Sequence, residues 1–224
     1  MPVFLVADPA EVCGRFADAL GPQLPEGPER CWRGARSAVG GGPGAPLAGA
    51  REALRQAAYH VLGRRAGHVG EYGLGPLLGE VARAAPGLRI HLVGHGTGAR
   101  LVAHALRGLP AGARPVASVT LLQGTFPHYA FAARLPHAPE RSGALRDLQH
   151  RIRGPLVVCH SRHDTALGTL YPPAARLADG SGPAGADDPR RGAIGHDGVR
   201  AVPGTVARSL AAVLRAGGCR GRGA

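Results

Sequence analysis

His91 to Leu101 reads HLVGHGTGARL. An apolar run that begins at Leu88 enters three alternating glycines, Gly94, Gly96 and Gly98, and a helix-like stretch follows at once. Glycines in that spacing suit a sharp strand-to-helix turn, because backbones without a Cβ can approach closely. Such a turn lifts its central residue above the sheet edge and aims the following backbone N–H at whatever reacts there. The central residue here is Gly96, which has no side chain to react with.

The surrounding pattern places this turn in an alternating fold. Leu88 to Val93 reads as a strand, Ala99 to Leu106 as a helix and Val116 to Leu122 (VASVTLL) as a second strand. Ser142 to Ile152 reads as helix, Pro155 to Cys159 (PLVVC) as a third strand and Gly192 to Gly195 as a short fourth. Thr205 to Leu214 closes the series as a helix with Val206, Leu210, Val213 and Leu214 on one side. This order predicts an α/β fold, a three-layer αβα sandwich whose mostly parallel sheet is covered on both faces.

Upstream the signals thin out. Val3 to Ala7 is a candidate strand closed by Asp8-Pro9, and Ala10 to Leu20 a candidate helix. Residues 37–50, rich in Gly and Pro, read as linker or loop. Arg51 to Arg65 forms a stronger helix through Leu54, Ala57, Ala58, Val61 and Leu62. Gly67 to Gly75 is expected to break it, with Pro76 opening another helix through about Ala85. Residues 178–192 read as a loop and 217–224 as a mobile tail. The 224 residues contain no internal repeat and make one domain.

Composition narrows the function classes. The net charge of +12 comes from 27 basic residues that are all arginine, while lysine and asparagine are absent. This bias matches a GC-rich bacterial coding sequence. The arginines are scattered, without the basic stripe or module of a nucleic-acid reader, so no specific nucleic-acid partner is expected. Cys13, Cys31, Cys159 and Cys219 show no metal-finger spacing and read as small apolar residues of a reducing cytoplasm. No run approaches the ~18 apolar residues of a membrane span, and the amino terminus lacks a basic leader.

Two downstream pieces give the turn its chemical context. CHSRHD, Cys159 to Asp164, follows the third strand and puts an acid at a strand's carboxyl end, where ligands approach an open α/β sheet. GAIGHDG then supplies His196 before the last helix. The chain order is thus a vacated nucleophile position, an acid and a histidine. With YGLGPLL, SVTLLQG and RSGAL, this sequence resembles the α/β-hydrolase superfamily, a serine-hydrolase-like branch, from about Leu54 to Val199. The resemblance implies that Gly96 stands at the nucleophile position, with Asp164 as the acid and His196 as the base. It also implies that the Thr97 backbone N–H is an oxyanion donor.

Two departures accompany the resemblance. Glycine stands at position 96, and the sheet is shortened on its amino-terminal side, where Pro9 has no N–H to offer as a second oxyanion donor. The expected protein is therefore an α/β-hydrolase-like chain whose ester or amide chemistry is lost or very weak. One alternative is a non-catalytic binding module that keeps the pocket for a small acyl ligand or ester. Another is a weak hydrolase in which Asp164 and His196 activate water. A decayed or mis-started reading frame is a further class. Thr97, Ser161 and Cys159 are weaker candidate nucleophiles, and His95, His160, His163 and Asp164 match no metal-ligand spacing. No cofactor or metal is expected, and the sequence leaves the oligomeric state open.

Overall fold

The structure, a computed structural model, describes residues 61–172, 175 and 189–215. The readings for Val3 to Ala7, Ala10 to Leu20, the linker 37–50 and the tail 217–224 lie outside these residues. So do most of Arg51 to Arg65 and most of the loop 178–192.

Three parallel strands form the sheet: β1 (Ile90–His95), β2 (Val116–Leu122) and β3 (Leu156–Cys159), in the order β1-β2-β3. His91 pairs with Ser118 and His95 with Leu122, while Thr120 pairs with Val157 and Leu122 with Cys159. The general α/β character and the parallel pairing expected from the alternating pattern are thus present. β2 lies in the middle and carries the most buried side chains, with Val116, Val119 and Leu121 fully enclosed. Its β-branched and leucine residues suit a pleated surface packed against neighbours.

Leu92 and Gly94 on β1 face the same core as Val119 and Leu121. Helix α2 (Thr97–Ala105) covers that side with Ala99, Val102, Ala103 and Ala105. The opposite side is open at several positions: Val93 is 64% exposed, and His91, His95, Val157 and Cys159 are exposed too. Among the described residues, then, the covering expected on both faces is complete on one.

The Gly67 to Gly75 segment does not break the preceding helix. Residues 61–68 are helical and pass into a π-helical turn, Val69–Leu74, and then into α1 (Gly75–Ala84), whose first turn contains Pro76. The glycines serve contact between backbones instead. A Cβ on Gly70 would run into the carbonyl oxygen of Leu101, and one on Gly108 into that of Glu71. Glycine costs about 1 kcal/mol in a helix; here that cost is offset by a helix–helix approach no other residue permits. The far end of α2 is satisfied by Arg151, whose guanidinium donates to the carbonyls of Leu106 (3.0 Å), Leu109 (3.1 Å) and Pro110.

Three other expectations change. Ser142 to Ile152 is a series of turns ending in a 3-10 helix, Leu148–Arg151. The amides of Gly143 and Leu145 donate to Ala132 and Ala130 (2.9 and 2.7 Å), and Asp147, at φ 60° and ψ 3°, takes a left-handed conformation that a continuous α-helix cannot contain. Gly192 to Gly195 is not a fourth strand. Ala193 makes an isolated antiparallel bridge to Pro127, and Ile194–Asp197 forms a one-turn helix, α3. The amides of Ile194 and Gly195 reach Phe126 and Gly124 (2.9 and 3.0 Å), so this segment pairs with the exit loop of β2 rather than with β3. The closing helix is confined to α4 (Leu210–Arg215), and Val206 and Leu210 are 73% and 74% exposed.

His104, on the α2 surface, lies against Gly67. Burial, then the charges of Arg100, Arg107 and His68, push its pKa down to about 4 from 6.5. The unfolded chain therefore takes up a proton below pH 6.5 that the folded chain refuses. Stability falls as pH drops from 6.5 toward 4, by about 1–2 kcal/mol once solvent screening is counted. His104→Gln should flatten this part of the pH profile in urea unfolding. Gly70→Ala, in contrast, should destabilise by about 1–3 kcal/mol at neutral pH, because the opposing atom is a fixed backbone carbonyl and overpacking outweighs the helix propensity gained.

Candidate functional site

Each residue of the proposed constellation lies beyond the carboxyl end of the sheet. β1 runs directly into Gly96, the amide of which donates to Leu122 at 2.9 Å, and α2 begins at Thr97. Gly96 has φ 57° and ψ −118°, a conformation that a residue with a side chain adopts only under strain. Gly94 is needed for a different reason. A Cβ there would meet the carbonyl oxygen of Gly98 and sit 2.7 Å from Ala99 Cα. Gly98 itself faces open space, so of the two flanking glycines only Gly94 is required by contact.

Gly96 is buried, yet a Cβ built on it meets no atom within 4 Å. The turn therefore keeps room for a side chain that the sequence does not supply. Thr97 opens the helix, so its backbone N–H has no acceptor within that helix. Its hydroxyl is directed to Thr125, 3.5 Å away across the β2 exit. That exit loop links the pieces. Gly96 accepts from the amide of Thr125 (3.3 Å), Gly124 accepts from Gly195 (3.0 Å), and Gly195 accepts from Ser161 of the β3 exit (3.0 Å). Gln123, at the root of the loop, has φ 45°, a second strained position close to the turn.

The pairing of acid and base differs from the sequence reading. Asp164 does not hold His196. Its Oδ1 accepts from the Leu167 amide at 3.0 Å and caps the π-helical turn Ala166–Leu170. That role follows from position, since a carboxylate at the start of a helical turn satisfies free amides. His196 instead donates from Nδ1 to Oδ1 of Asp197 at 2.9 Å. The second oxygen of Asp197 accepts from Nδ1 of His128 at 3.0 Å. The carboxylate thus lies between two imidazoles. Gly192 leaves the space for it, because a Cβ there would overlap Asp197 Oδ2 and His128 Nδ1.

His128 is only 4% exposed and is firmly placed. Its amide donates to Gly192 and its carbonyl accepts from Arg200, both at 3.0 Å. Its ring meets Tyr129 edge-on with centroids 4.1 Å apart. His196 is held by its backbone as well, since its carbonyl accepts from His160 Nδ1 at 3.2 Å. Its Nε2 edge lies along Gly168, where a Cβ would come within 2.7 Å. Burial of Asp197 opposes ionisation, but the hydrogen bonds and charges of His196 and His128 outweigh it and hold the carboxyl below its ordinary 3.8.

The structure places Gly96 and Thr97 at the end of β1 and gives His196 two partners in one network, Asp197 and His128, that the sequence reading did not name. Asp197 stands beside His196 in GHDG, but the acid that follows a strand is Asp164. No sequence signal marks His128. Among the described residues no group of three His, Cys, Asp or Glu side chains is placed to hold a metal, and no helix is long and apolar enough to cross a membrane.

Comparison with protein-family models, with curated proteins and with solved structures finds no match for this chain.

Because the folded Asp197 carboxyl is the more acidic, it contributes stability above pH 3.8 that is lost as pH falls through its lower folded value. Asp197→Asn should lower stability at pH 7 by about 1 kcal/mol, a modest loss for a partly exposed charge-assisted contact. It should also make the decline of stability below pH 3.8 shallower. Urea unfolding at neutral and acid pH measures both.

Proposed function

We propose that this chain is an α/β-hydrolase-like protein built around a serine-hydrolase site that lacks its nucleophile, and that it is catalytically inactive or very weak. The observation that carries the reading is Gly96: a strained strand-to-helix turn, maintained with room for a side chain, at a position where glycine stands. Gly112 and Gly204, turn glycines that also meet nothing, are exposed to solvent, whereas Gly96 is buried. The parallel order β1-β2-β3 supports the same reading, since the turn, the β3 exit and the histidine follow one another along the chain at one end of the sheet.

In an active form, a serine at position 96 would attack the acyl carbon of an ester, thioester or amide, and His196 would take its hydroxyl proton. The tetrahedral oxyanion would receive the Thr97 N–H, and His196 would return the proton to the leaving alcohol, thiol or amine. Without that serine two uses remain. One is retention of a small acyl ligand. The carboxylate-held imidazole favours slow activation of water, in line with the ~10³–10⁴-fold residual acceleration seen when a triad loses a member.

Gly96→Ser tests the reading. Wild-type protein should not react with a fluorophosphonate probe, which needs an activated serine. Gly96→Ser should be labelled, and adding His196→Ala should abolish labelling. If the Thr97 amide is the sole oxyanion donor, the rate should be about 10²–10³-fold below that of a two-donor site. The strained backbone should cost the variant about 1–3 kcal/mol, so circular dichroism on the same sample establishes that it is folded. A folded Gly96→Ser protein that resists labelling, or a wild type that is labelled, overturns the proposal.

A further inference from the structure

We propose that Asp197, clasped between His196 and His128, is the residue that positions the base, in the place the chain order gives to Asp164, and that His128 is the anchor that fixes Asp197. The inference rests on the reading of His196 as the base. Its support is separate and geometric. A carboxylate orients an imidazole by accepting from Nδ1–H, which leaves the Nε2 lone pair to receive a proton. Asp197 Oδ1 makes that contact at 2.9 Å, whereas Asp164 Oδ1 is occupied by the Leu167 amide.

A carboxylate next in sequence to its histidine needs an outside restraint, because its own side chain has several rotamers. His128 supplies it from 69 residues away. With one oxygen on each imidazole, rotation of the carboxylate would break a bond on both sides. The His128 ring cannot follow such a rotation readily, being almost fully buried, edge-on to Tyr129, and tied through its backbone to Gly192 and Arg200. His160 completes the arrangement by holding the His196 carbonyl. The result is a histidine, an aspartate and a second histidine in series, with His196 Nε2 as the reactive end.

Nitrogen-15 spectroscopy of histidine-labelled protein at about pH 8 reads the tautomers directly, with His196→Gln and His128→Gln assigning the signals. Wild type should show both His196 and His128 as Nδ1–H tautomers. Asp197→Asn should move His196 toward the Nε2–H form, and Asp164→Asn, which keeps an oxygen to cap Leu167, should leave it unchanged. His196 as Nε2–H in the wild type overturns the proposal without any variant, as does a tautomer change in folded Asp164→Asn.

The labelling assay supplies a second arm. In the Gly96→Ser background, Asp197→Asn should slow fluorophosphonate labelling by about 10²–10⁴-fold, comparable to loss of the orienting carboxylate in a triad, and Asp197→Glu should recover part of it. Equal labelling with and without Asp197 overturns the positioning role while leaving the hydrolase-like reading intact. If Gly96→Ser is never labelled but the tautomers behave as stated, the hydrolase-like reading fails and the three-residue series stands.

Discussion

The structure depends on backbone meeting backbone at helix α2. On one side Gly94 lets β1 press against Gly98 and Ala99. On the other, Gly70 and Gly108 bring the preceding helix and the α2 exit within contact of each other's carbonyls. Side chains that would normally keep such elements 8–10 Å apart are missing from these contacts. Alanines at positions 99, 103 and 105 complete a helix made thin on both faces. The sharp turn at Gly96 follows, since a strand can feed a helix lying directly on the sheet only by reversing abruptly.

The site follows from that turn through one loop. The exit of β2, Gln123 to Thr125, donates a backbone hydrogen bond from Thr125 to the carbonyl of Gly96 and accepts one at Gly124 from the amide of Gly195. The aspartate between two histidines is then assembled by segments that emerge from this loop and return to it. Its electrostatics are self-contained: the carboxylate gains from both imidazoles what burial takes away. The Gly96 turn and the segment that carries His196 and Asp197 are thus both tied by backbone hydrogen bonds to the β2 exit.

Much of this was legible in the residues. β2 has the limits its apolar run suggests, and the glycine pattern locates the strand-to-helix turn at Gly96. The failures have physical causes. Glycines at 70 and 75 read as a break, yet local propensity lost to helix–helix contact. The apolar run at 192–195 was too short for periodicity to separate strand from helical turn, and its hydrogen bonds to Phe126 and Gly124 decided the outcome. The Asp197–His128 contact joins residues far apart in sequence, and composition carries no record of such a meeting.

The arginine at the end of α2 has a consequence for how charge is distributed in the protein. Arg151 spends its guanidinium on three carbonyls, Arg114 on that of Ile152 and Arg153 on that of Arg114. These cations satisfy carbonyls at the end of α2, at the end of the 3-10 turn and in the loop before β2, where other chains would employ glycine caps or ordered solvent. Three of the 27 cations thereby serve as ties between segments, and each does so from an exposed or half-exposed position while keeping its full positive charge.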